Sequence, residues 1–444
     1  MNTIDEKNNA NVPAGRLARM ARLGTLATGI AGGMIAEGAR QLAQGNRPKV
    51  SDLLLTPANA KRVADELSRL RGAAMKVGQL LSMDAGDMLP AELTEILTRL
   101  RSDAKPMPLS QLAKVLDANW GKDWNTRFQQ FSFQPLAAAS IGQVHSAHTK
   151  DGRHLALKIQ YPGVRESISS DVDNVATLLR ISGLIPKSID YQPLLEEAKQ
   201  QLHQEADYLQ EAAYMRRYQT LLADSPEFTL AAVHDDFTTA NILAMTHVSG
   251  VPIESLAHAP QAERDRVMHL LLGLLFREIF SFHLVQTDPN FANYRYNHQT
   301  QQLILLDFGA TREYPTTIAD GYRQVMQGAA QGDRAMMDAG AAQIGFFQAF
   351  IKPEQRTAVL DLFEQACEPL RWQGVYDFGT SNLASRIRDA GMALSMEQDY
   401  WHTPPADALF LHRKLGGLYL LAAKLRARVD VGELFAPYEL ELCM

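Results

Sequence analysis

The chain of 444 residues has little cysteine, no excess of basic charge and no long apolar run. Its only two cysteines, Cys367 and Cys443, argue against a disulfide framework or a zinc site and favour a reducing compartment. Its net charge of -6 gives no overall basic field, which argues against a nucleic-acid partner. With 46% hydrophobic residues, the composition is that of a globular protein with a large core.

The N-terminal region has neither an export signal nor a segment long enough to span a bilayer. Asp5 and Glu6 stand where a transit peptide is poor in acids. The uncharged run 23–36 is too short for a transmembrane helix, but three arginines precede it: Arg16, Arg19 and Arg22. Two interpretations stay open, a helix at a membrane surface or an arm packed on its own protein. We expect a cytoplasmic protein with peripheral contact to the inner membrane, where anionic lipids and quinone-precursor lipids would be partners.

Periodicity divides the remaining chain into helical and strand-bearing parts. Residues 51–104 carry apolar residues at spacings of three and four, which predicts helices. Strand patterns follow between about 131 and 160, where Asp151-Gly152 predicts a hairpin. We therefore predict an α+β protein in four parts, namely an arm over 1–45, a helical extension over 46–130, a small lobe with an antiparallel sheet over 131–250 and a helical lobe over 251–444.

A lysine and a glutamate occupy positions where the patterns call for apolar residues. Strand alternation over 154–160 places Lys158 opposite the apolar face. The helix predicted after Pro193 carries Glu205 on its apolar stripe, so the two charges are expected to pair, with Glu211 as the competing partner of the lysine. Asp207 points to a different helix face and can receive a second cation.

Three acid and amide positions follow in an order that suits a metal-bound phosphate. Asp288 is predicted on a loop because Pro289 prevents a helix there, and Asn293 comes five residues later. Asp307 follows the apolar run 303–306 and precedes Phe308-Gly309. A carboxylate at 288 can orient or deprotonate a hydroxyl, while an amide and a carboxylate at 293 and 307 suit Mg²⁺, whose preferred ligands are oxygens. This order is the one that phosphoryl transfer needs.

The glycine-rich loop that usually covers phosphates in kinases is absent. Its place before Lys158 is taken by Ala137, Ala138, Ala139 and Ser140. Alanine does not readily adopt the positive φ angles that glycine allows, so this loop is expected to approach the phosphates differently.

Together these motifs resemble the UbiB/ADCK family of atypical, protein-kinase-like ATPases, as does the sequence Lys76-Val77-Gly78-Gln79. The resemblance covers nearly the whole chain. It implies a two-lobed kinase-like fold with an added N-terminal helical subdomain, binding of ATP or ADP with Mg²⁺ (Mn²⁺ being the alternative ion), and support of ubiquinone biosynthesis, with proteins of that pathway as partners. In the family, the Lys-x-Gly-Gln helix blocks peptide substrates, so the resemblance implies ATP hydrolysis with protein phosphorylation suppressed.

The resemblance also assigns regulatory and adenine-binding positions. Lys76 is expected to reach the acids Glu205 and Asp207, with Gly78 allowing close approach and Gln79 covering the nucleotide. The hinge is expected at 243–248, with Met245 at the back of the pocket and the backbone of Thr246, His247 and Val248 at the adenine edge. Gln286-Thr287 stand where protein kinases carry His-Arg, which makes control by a phosphorylated activation loop doubtful.

Two other classes of function share part of this pattern. A small-molecule kinase has the same aspartate and asparagine order but does not need the Lys-x-Gly-Gln helix or the alanine loop. A nucleotide-gated scaffold for a biosynthetic complex needs the nucleotide site but not a carboxylate at Asp288.

Overall fold

A computed structural model describes residues 32, 40, 67, 70–84, 106–182, 192–347, 351–397 and 405–440. The predicted arm over 1–45 lies outside the described residues except for Gly32 and Arg40. The described helices are α1 (Arg71–Asp84), α2 (Leu109–Trp120), α3 (Val164–Ser182), α4 (Gln192–Glu205), α5 (Tyr208–Leu221), α6 (Gln261–Arg277), α7 (Thr316–Gln331), α8 (Arg334–Ile344), α9 (Pro353–Ala366), α10 (Glu368–Arg371), α11 (Leu383–Glu397), α12 (Ala406–Leu425) and α13 (Val431–Phe435).

The strands are short, and most of them pair antiparallel. They are β1 (Phe128–Phe131), β2 (Ala137–Ala138), β3 (Gly142–Thr149), β4 (His154–Gln160), β5 (Phe228–Leu230), β6 (Ile242–Thr246), β7 (Val251–Pro252), β8 (Leu284–Gln286), β9 (Tyr294–Asn297), β10 (Gln302–Leu305), β11 (Thr311–Glu313), β12 (Tyr376–Asp377) and β13 (Arg428–Val429). The chain forms two compact units, residues 1–213 with 232–247 and residues 214–231 with 248–444.

The first unit contains a five-stranded antiparallel sheet in the order β1-β3-β4-β6, with β2 paired to β3. The predicted hairpin joins β3 to β4, and Gly152 at its turn has a φ of 90°, which glycine adopts without strain. Leu155, Leu157 and Ile159 lie on one face of β4 and are fully buried against α2 and a group of aromatic side chains. The alternation predicted for this strand is thereby confirmed, and Lys158 lies on its other face.

The second unit is mostly helical and holds small sheets at the segments that carry the acids. One sheet has the order β5-β10-β9-β7, in which β10 runs parallel to β5, and a second sheet pairs β8 with β11. Helix α6 continues as a π-helix over Glu278–Phe282 before β8 begins. The predicted α+β class, with an antiparallel sheet preceding a helical part, is confirmed.

The helix predicted after Pro193 is interrupted just beyond Glu205, so its predicted apolar stripe does not continue. Helix α4 ends at Glu205 and α5 begins at Tyr208. Asp207 caps the second helix, because its Oδ1 accepts a hydrogen bond from the backbone N–H of Gln210 at 3.1 Å. The break rotates the residues after 207 relative to those before it, so Leu209 is exposed rather than buried.

Among the described residues, none of the helices combines the length and the apolar character that crossing a bilayer requires.

Candidate functional site

Lys158 lies on the central strand β4 and forms a buried ion pair with Glu211. Its Nζ is 3.0 and 2.9 Å from the two carboxylate oxygens of Glu211, and it lies 5.3 Å from the centre of the Tyr208 ring. Only 8% of Lys158 and 1% of Glu211 are exposed. Because a buried charge is stable only with a partner, this carboxylate fixes the direction of the lysine.

The predicted pairing of Lys158 with Glu205 is wrong. Glu205 instead binds Lys76, whose Nζ is 2.5 Å from Oε1, and accepts a hydrogen bond from the hydroxyl of Ser140 at 2.6 Å. The break between α4 and α5 is the physical reason, because it brings Glu211 rather than Glu205 to the lysine. The spacing Asp207-x-x-Gln210 is a capping signal that could have revealed this break in the sequence.

The Lys76-to-Gln79 segment lies in α1, and this helix packs closely on the alanine-rich loop. A Cβ added at Gly72 would lie 2.6 Å from the backbone oxygen of Ser140, so the helix and the loop touch through backbone atoms. Lys76 is 5% exposed and Gly78 is buried, while the side chain of Gln79 lies outside the described part of the chain. The shared contact with Glu205 therefore links Lys76 to Ser140.

Asp207, the second acid predicted for Lys76, faces another cation. Its Oδ2 lies 3.7 Å from the guanidinium of Arg165, and both side chains are largely exposed. Its other oxygen caps α5, as described above. The geometry gives Asp207 a structural role at the start of this helix.

The alanine-rich loop is extended and not helical, although alanine favours helices. Ala137 and Ala138 form β2, and no residue from Ala137 to Ser140 has a positive φ angle. The backbone N–H of Ala139 donates to the carbonyl of Gly142 at 2.9 Å. This amide is therefore already used within the sheet, which limits the number of loop N–H groups that can serve a phosphate.

The predicted hinge over 243–248 takes in most of β6 and the two residues after it. Two of the three backbone donors predicted to meet the adenine edge are used within the protein. The N–H of Thr246 donates to the carbonyl of Ala232 at 2.8 Å, and that of His247 donates to the carbonyl of His154 at 2.9 Å. Within the described part of the chain, the N–H of Val248 makes no hydrogen bond. Met245 is 8% exposed.

Asp288 and Asn293 are held together on the loop that follows β8. The side-chain N–H of Asn293 donates to Oδ2 of Asp288 at 2.8 Å, which turns the amide oxygen of Asn293 away from the carboxylate. The loop starts from Thr287, whose N–H and hydroxyl both donate to the carbonyl of Ala310, at 3.1 and 2.6 Å. This arrangement fixes the base of the loop to the turn that follows Asp307.

Asp307 lies two residues after the end of β10, as predicted. Its Oδ1 accepts a hydrogen bond from the backbone N–H of Gly309 at 2.9 Å, and a turn then leads into β11. Gly309 makes this turn without a positive φ angle, so the special freedom of glycine is not what the bend uses. Phe308 is buried and packs on Tyr218, with ring centres 4.7 Å apart.

A buried polar network supports the Asp288 loop and was missed in the sequence. Lys414 on α12 donates to the backbone oxygen and the side-chain oxygen of Gln286, at 2.7 and 2.9 Å, and lies 3.6 Å from Glu278. Burial lowers the pKa of Lys414, but the negative Glu278 and its neighbours more than offset this effect and raise the pKa overall, so the ammonium stays charged. Burial, followed by the charge of Glu278, raises the pKa of Tyr218, whose hydroxyl donates to that carboxylate at 2.7 Å. The available signal was a pair of adjacent charged residues within each of two apolar stretches, at 277–278 and at 413–414.

The side chains at the Asp288 loop and after β10 suit a divalent cation that arrives with a substrate. Asn293 directs an amide oxygen away from Asp288, and Asp307 supplies a carboxylate. The described residues contain no cluster of three or more His, Cys, Asp or Glu side chains that would hold an ion by themselves. This donor set fits Mg²⁺, which keeps several waters and is commonly completed by phosphate oxygens.

Comparisons with known proteins place the chain in a class and then in a family. A family model described as the ABC1 atypical kinase-like domain matches residues 99–340. The structure of Rv3197 from Mycobacterium tuberculosis, solved as a complex with erythromycin, resembles the chain with a TM-score of 0.57 at 26% identity, covering 83% of this chain and 92% of that one. The fold is therefore protein-kinase-like.

Full-length relatives agree with this assignment. The mitochondrial atypical kinase COQ8 of Saccharomyces cerevisiae is 36% identical over 434 residues, which cover 97% of this chain and 86% of the yeast protein. The mitochondrial atypical kinase COQ8B of Rattus norvegicus is 37% identical over 433 residues, which cover 97% of this chain and 82% of the rat protein. The chain belongs to the ABC1 family of atypical kinase-like proteins, the UbiB/ADCK family that its motifs resemble.

Proposed function

We propose that the protein is a Mg²⁺-dependent ATPase that binds ATP or ADP and does not phosphorylate proteins. The buried pair of Lys158 and Glu211 is the observation that carries this proposal. A lysine buried on a central strand and aimed by a carboxylate matches the arrangement with which kinases direct a lysine at nucleotide phosphates. A lysine on the solvent face of an edge strand would not need such a partner.

Each set of residues has a definite task in this proposal. Lys158 neutralises phosphate charge, and Val248 offers its backbone N–H to the adenine edge. Asn293 and Asp307 hold Mg²⁺, which when bound neutralises charge on the phosphate oxygens. Asp288 orients the attacking water, and the hydrogen bond from Asn293 keeps its carboxylate in place.

Suppression of protein phosphorylation is assigned to α1 and the alanine-rich loop. Lys76 and Ser140 both bind Glu205, and Gly72 lies against the backbone of Ser140. These contacts support a helix and a loop that move as one body, with Gln79 of the same helix covering the nucleotide. The loop can then change its distance from the phosphates only if the helix moves as well.

The biological context that fits the relatives is ubiquinone biosynthesis. Those relatives are named COQ8 and COQ8B, and their similarity extends over nearly the whole chain. We propose that hydrolysis of ATP supports this pathway at a membrane surface, with quinone-precursor lipids and other proteins of the pathway as partners.

The proposal is tested by separating binding from turnover in purified protein. Asp307→Asn is expected to remove the thermal stabilisation by Mg-ATP, whereas Asp288→Asn should keep it and lose phosphate release by at least about 100-fold, the lower end of the loss expected when a positioned acid or base is removed. Radiolabelled ATP should yield free phosphate without labelled protein. Unchanged hydrolysis in Asp288→Asn would rule out its catalytic role, and phosphorylation of an added small alcohol would identify a small-molecule kinase instead.

A further inference from the structure

The second unit contains an apolar cavity of about 300 Å³ formed by helices α6, α7, α9, α11 and α12 and by Phe346. Its described lining carries no Asp, Glu, Lys or Arg side chain, and most of it is aliphatic or aromatic. Cavities of this size and character hold small organic molecules, since one of about 150 Å³ accepts benzene. None of the residues proposed for nucleotide binding or catalysis lies in this lining.

The histidine of this lining, His412, is enclosed by aromatic rings. It stacks on Phe346 with ring centres 5.4 Å apart and meets Phe363 edge to face at 5.7 Å. Although protein surrounds it, His412 keeps part of its surface accessible, and it belongs to the cavity lining.

The hydrogen bonds of His412 determine which ring nitrogen carries the proton. Its Nε2 lies 3.0 Å from the hydroxyl of Tyr322, which has no other acceptor within the described part of the chain. We assign the tyrosine as the donor and Nε2 as the acceptor, because the hydroxyl proton would otherwise have no partner there. Burial lowers the pKa of His412 to about 4, so the ring is neutral at pH 7. The single proton of a neutral ring whose Nε2 accepts lies on Nδ1.

The Nδ1–H group of His412 has no acceptor among the described residues, and Nδ1 is not fully enclosed by protein atoms. An accessible donor among apolar walls can orient a ligand that carries an acceptor. An oxygen with a free lone pair would satisfy it.

We propose that this cavity binds a small apolar molecule with one acceptor oxygen, such as a ketone or ester carbonyl, and that the oxygen accepts a hydrogen bond from Nδ1 of His412. The apolar walls bind the body of the ligand, and the histidine selects the oxygen. The cavity has about twice the volume of one that holds benzene, so it suits a ligand of roughly a dozen non-hydrogen atoms.

The test uses two probes that differ only in a carbonyl group, propiophenone and n-propylbenzene, titrated into the full chain and followed by calorimetry and by NMR of the histidine rings. Propiophenone should bind about tenfold more tightly, because one hydrogen bond distinguishes the two. It should also shift the ring signals of His412. Equal affinities, or no binding of either probe, would overturn the proposal.

Two variants separate the roles of the oxygen and of the space. The double variant His412→Phe with Tyr322→Phe keeps both aromatic rings but removes the imidazole donor and the hydroxyl that it would leave unpaired, so the two probes should bind equally. Gly416→Leu should abolish binding of both, because residue 416 lies one turn from His412 on the same face of α12 and an added Cβ there has no neighbour within 4 Å.

The filling variant is expected to stay folded, since leucine favours a helix more than glycine does. The matched control is Leu420→Gln on an exposed position of the same helix, which should bind both probes like the wild type. A preference for propiophenone that survives in the double variant, or binding that survives in folded Gly416→Leu, would contradict the assignment.

Discussion

The partner of Lys158 is the most consequential single residue in the first unit. Glu211 is almost completely buried and contacts the lysine with both carboxylate oxygens. Breaking a buried pair by removing one partner costs about 3–5 kcal/mol, since the other charge stays behind without compensation. The stability and the nucleotide affinity of the protein should therefore depend on Glu211 through Lys158.

A double-mutant cycle measures this dependence. The variants Lys158→Met and Glu211→Gln should each destabilise the protein, and their combination should cost less than the sum, with a coupling of more than about 1 kcal/mol in urea unfolding. The control cycle combines Lys158→Met with Glu205→Gln and should give a smaller coupling, because Glu205 binds Lys76 and Ser140. A larger coupling with Glu205 would restore the pairing that the sequence suggested.

His412 should make stability depend on pH. Burial lowers its pKa to about 4 in the folded chain, against about 6.5 when it is unfolded. Between these values the unfolded state binds the extra proton, so stability is complete above pH 6.5 and is lost as the pH falls. From pH 7 to pH 5 this residue should account for a loss of about 2 kcal/mol.

Urea unfolding of His412→Phe at several pH values isolates this contribution. The variant should lose less stability than the wild type over that pH range, apart from a constant offset due to the lost contact with Tyr322. His269→Phe, at an exposed histidine, is the control and should follow the wild type. If the wild type and His412→Phe show the same slope, the histidine is not kept neutral by burial.

At the scale of elements, the contact between α1 and the alanine-rich loop has almost no spare space. A methyl group on Gly72 would lie 2.6 Å from the backbone oxygen of Ser140, a distance that Cβ atoms essentially never show. We expect Gly72→Ala to force the helix and the loop apart and to destabilise the protein by about 1–3 kcal/mol, although alanine favours helices.

Thermal unfolding measures the loss of stability in Gly72→Ala, and ATP hydrolysis measures the change in activity. Because the loop is proposed to control access to the phosphates, the rate of hydrolysis should change together with stability. Gly391→Ala is the control, since it lies inside α11 and an added Cβ there has no neighbour within 4 Å. It should be neutral or slightly stabilising. An equally mild effect at Gly72 would show that the helix does not rest on the loop.

The sequence predicted the helices, strands and turns of this protein better than it predicted individual side-chain contacts. The alternation in β4, the Asp151-Gly152 hairpin and the position of Asp307 after β10 follow from local periodicity and turn chemistry, and all three agree with the structure. Local periodicity did not predict the partner of Lys158, because the helix breaks at Asp207 and every later residue faces a different direction from the one expected. The pairing of Lys414 with Gln286 joins positions 128 residues apart, which no local pattern specifies.

At the scale of the whole molecule, the sign of the charge separates the N-terminal arm from the rest. The protein carries a net charge of -6, whereas the only charged residues from Asn8 to Ala36 are the three arginines Arg16, Arg19 and Arg22. Each arginine near an anionic lipid surface contributes about 1 kcal/mol, so three amount to roughly a hundredfold in affinity. An acidic protein with such an arm should bind anionic membranes through the arm.

Co-sedimentation with vesicles tests this expectation. The full chain should pellet with vesicles that contain an anionic phospholipid, less with neutral vesicles and less in high salt, because screening weakens charge interactions. A variant without residues 1–45 should stay in solution, and the variant with glutamine at all three arginine positions should lose most of the preference for anionic lipid. A Lys158→Met variant, altered only in the proposed nucleotide site, should pellet like the wild type. Equal pelleting of the full and shortened chains would exclude the arm as the anchor.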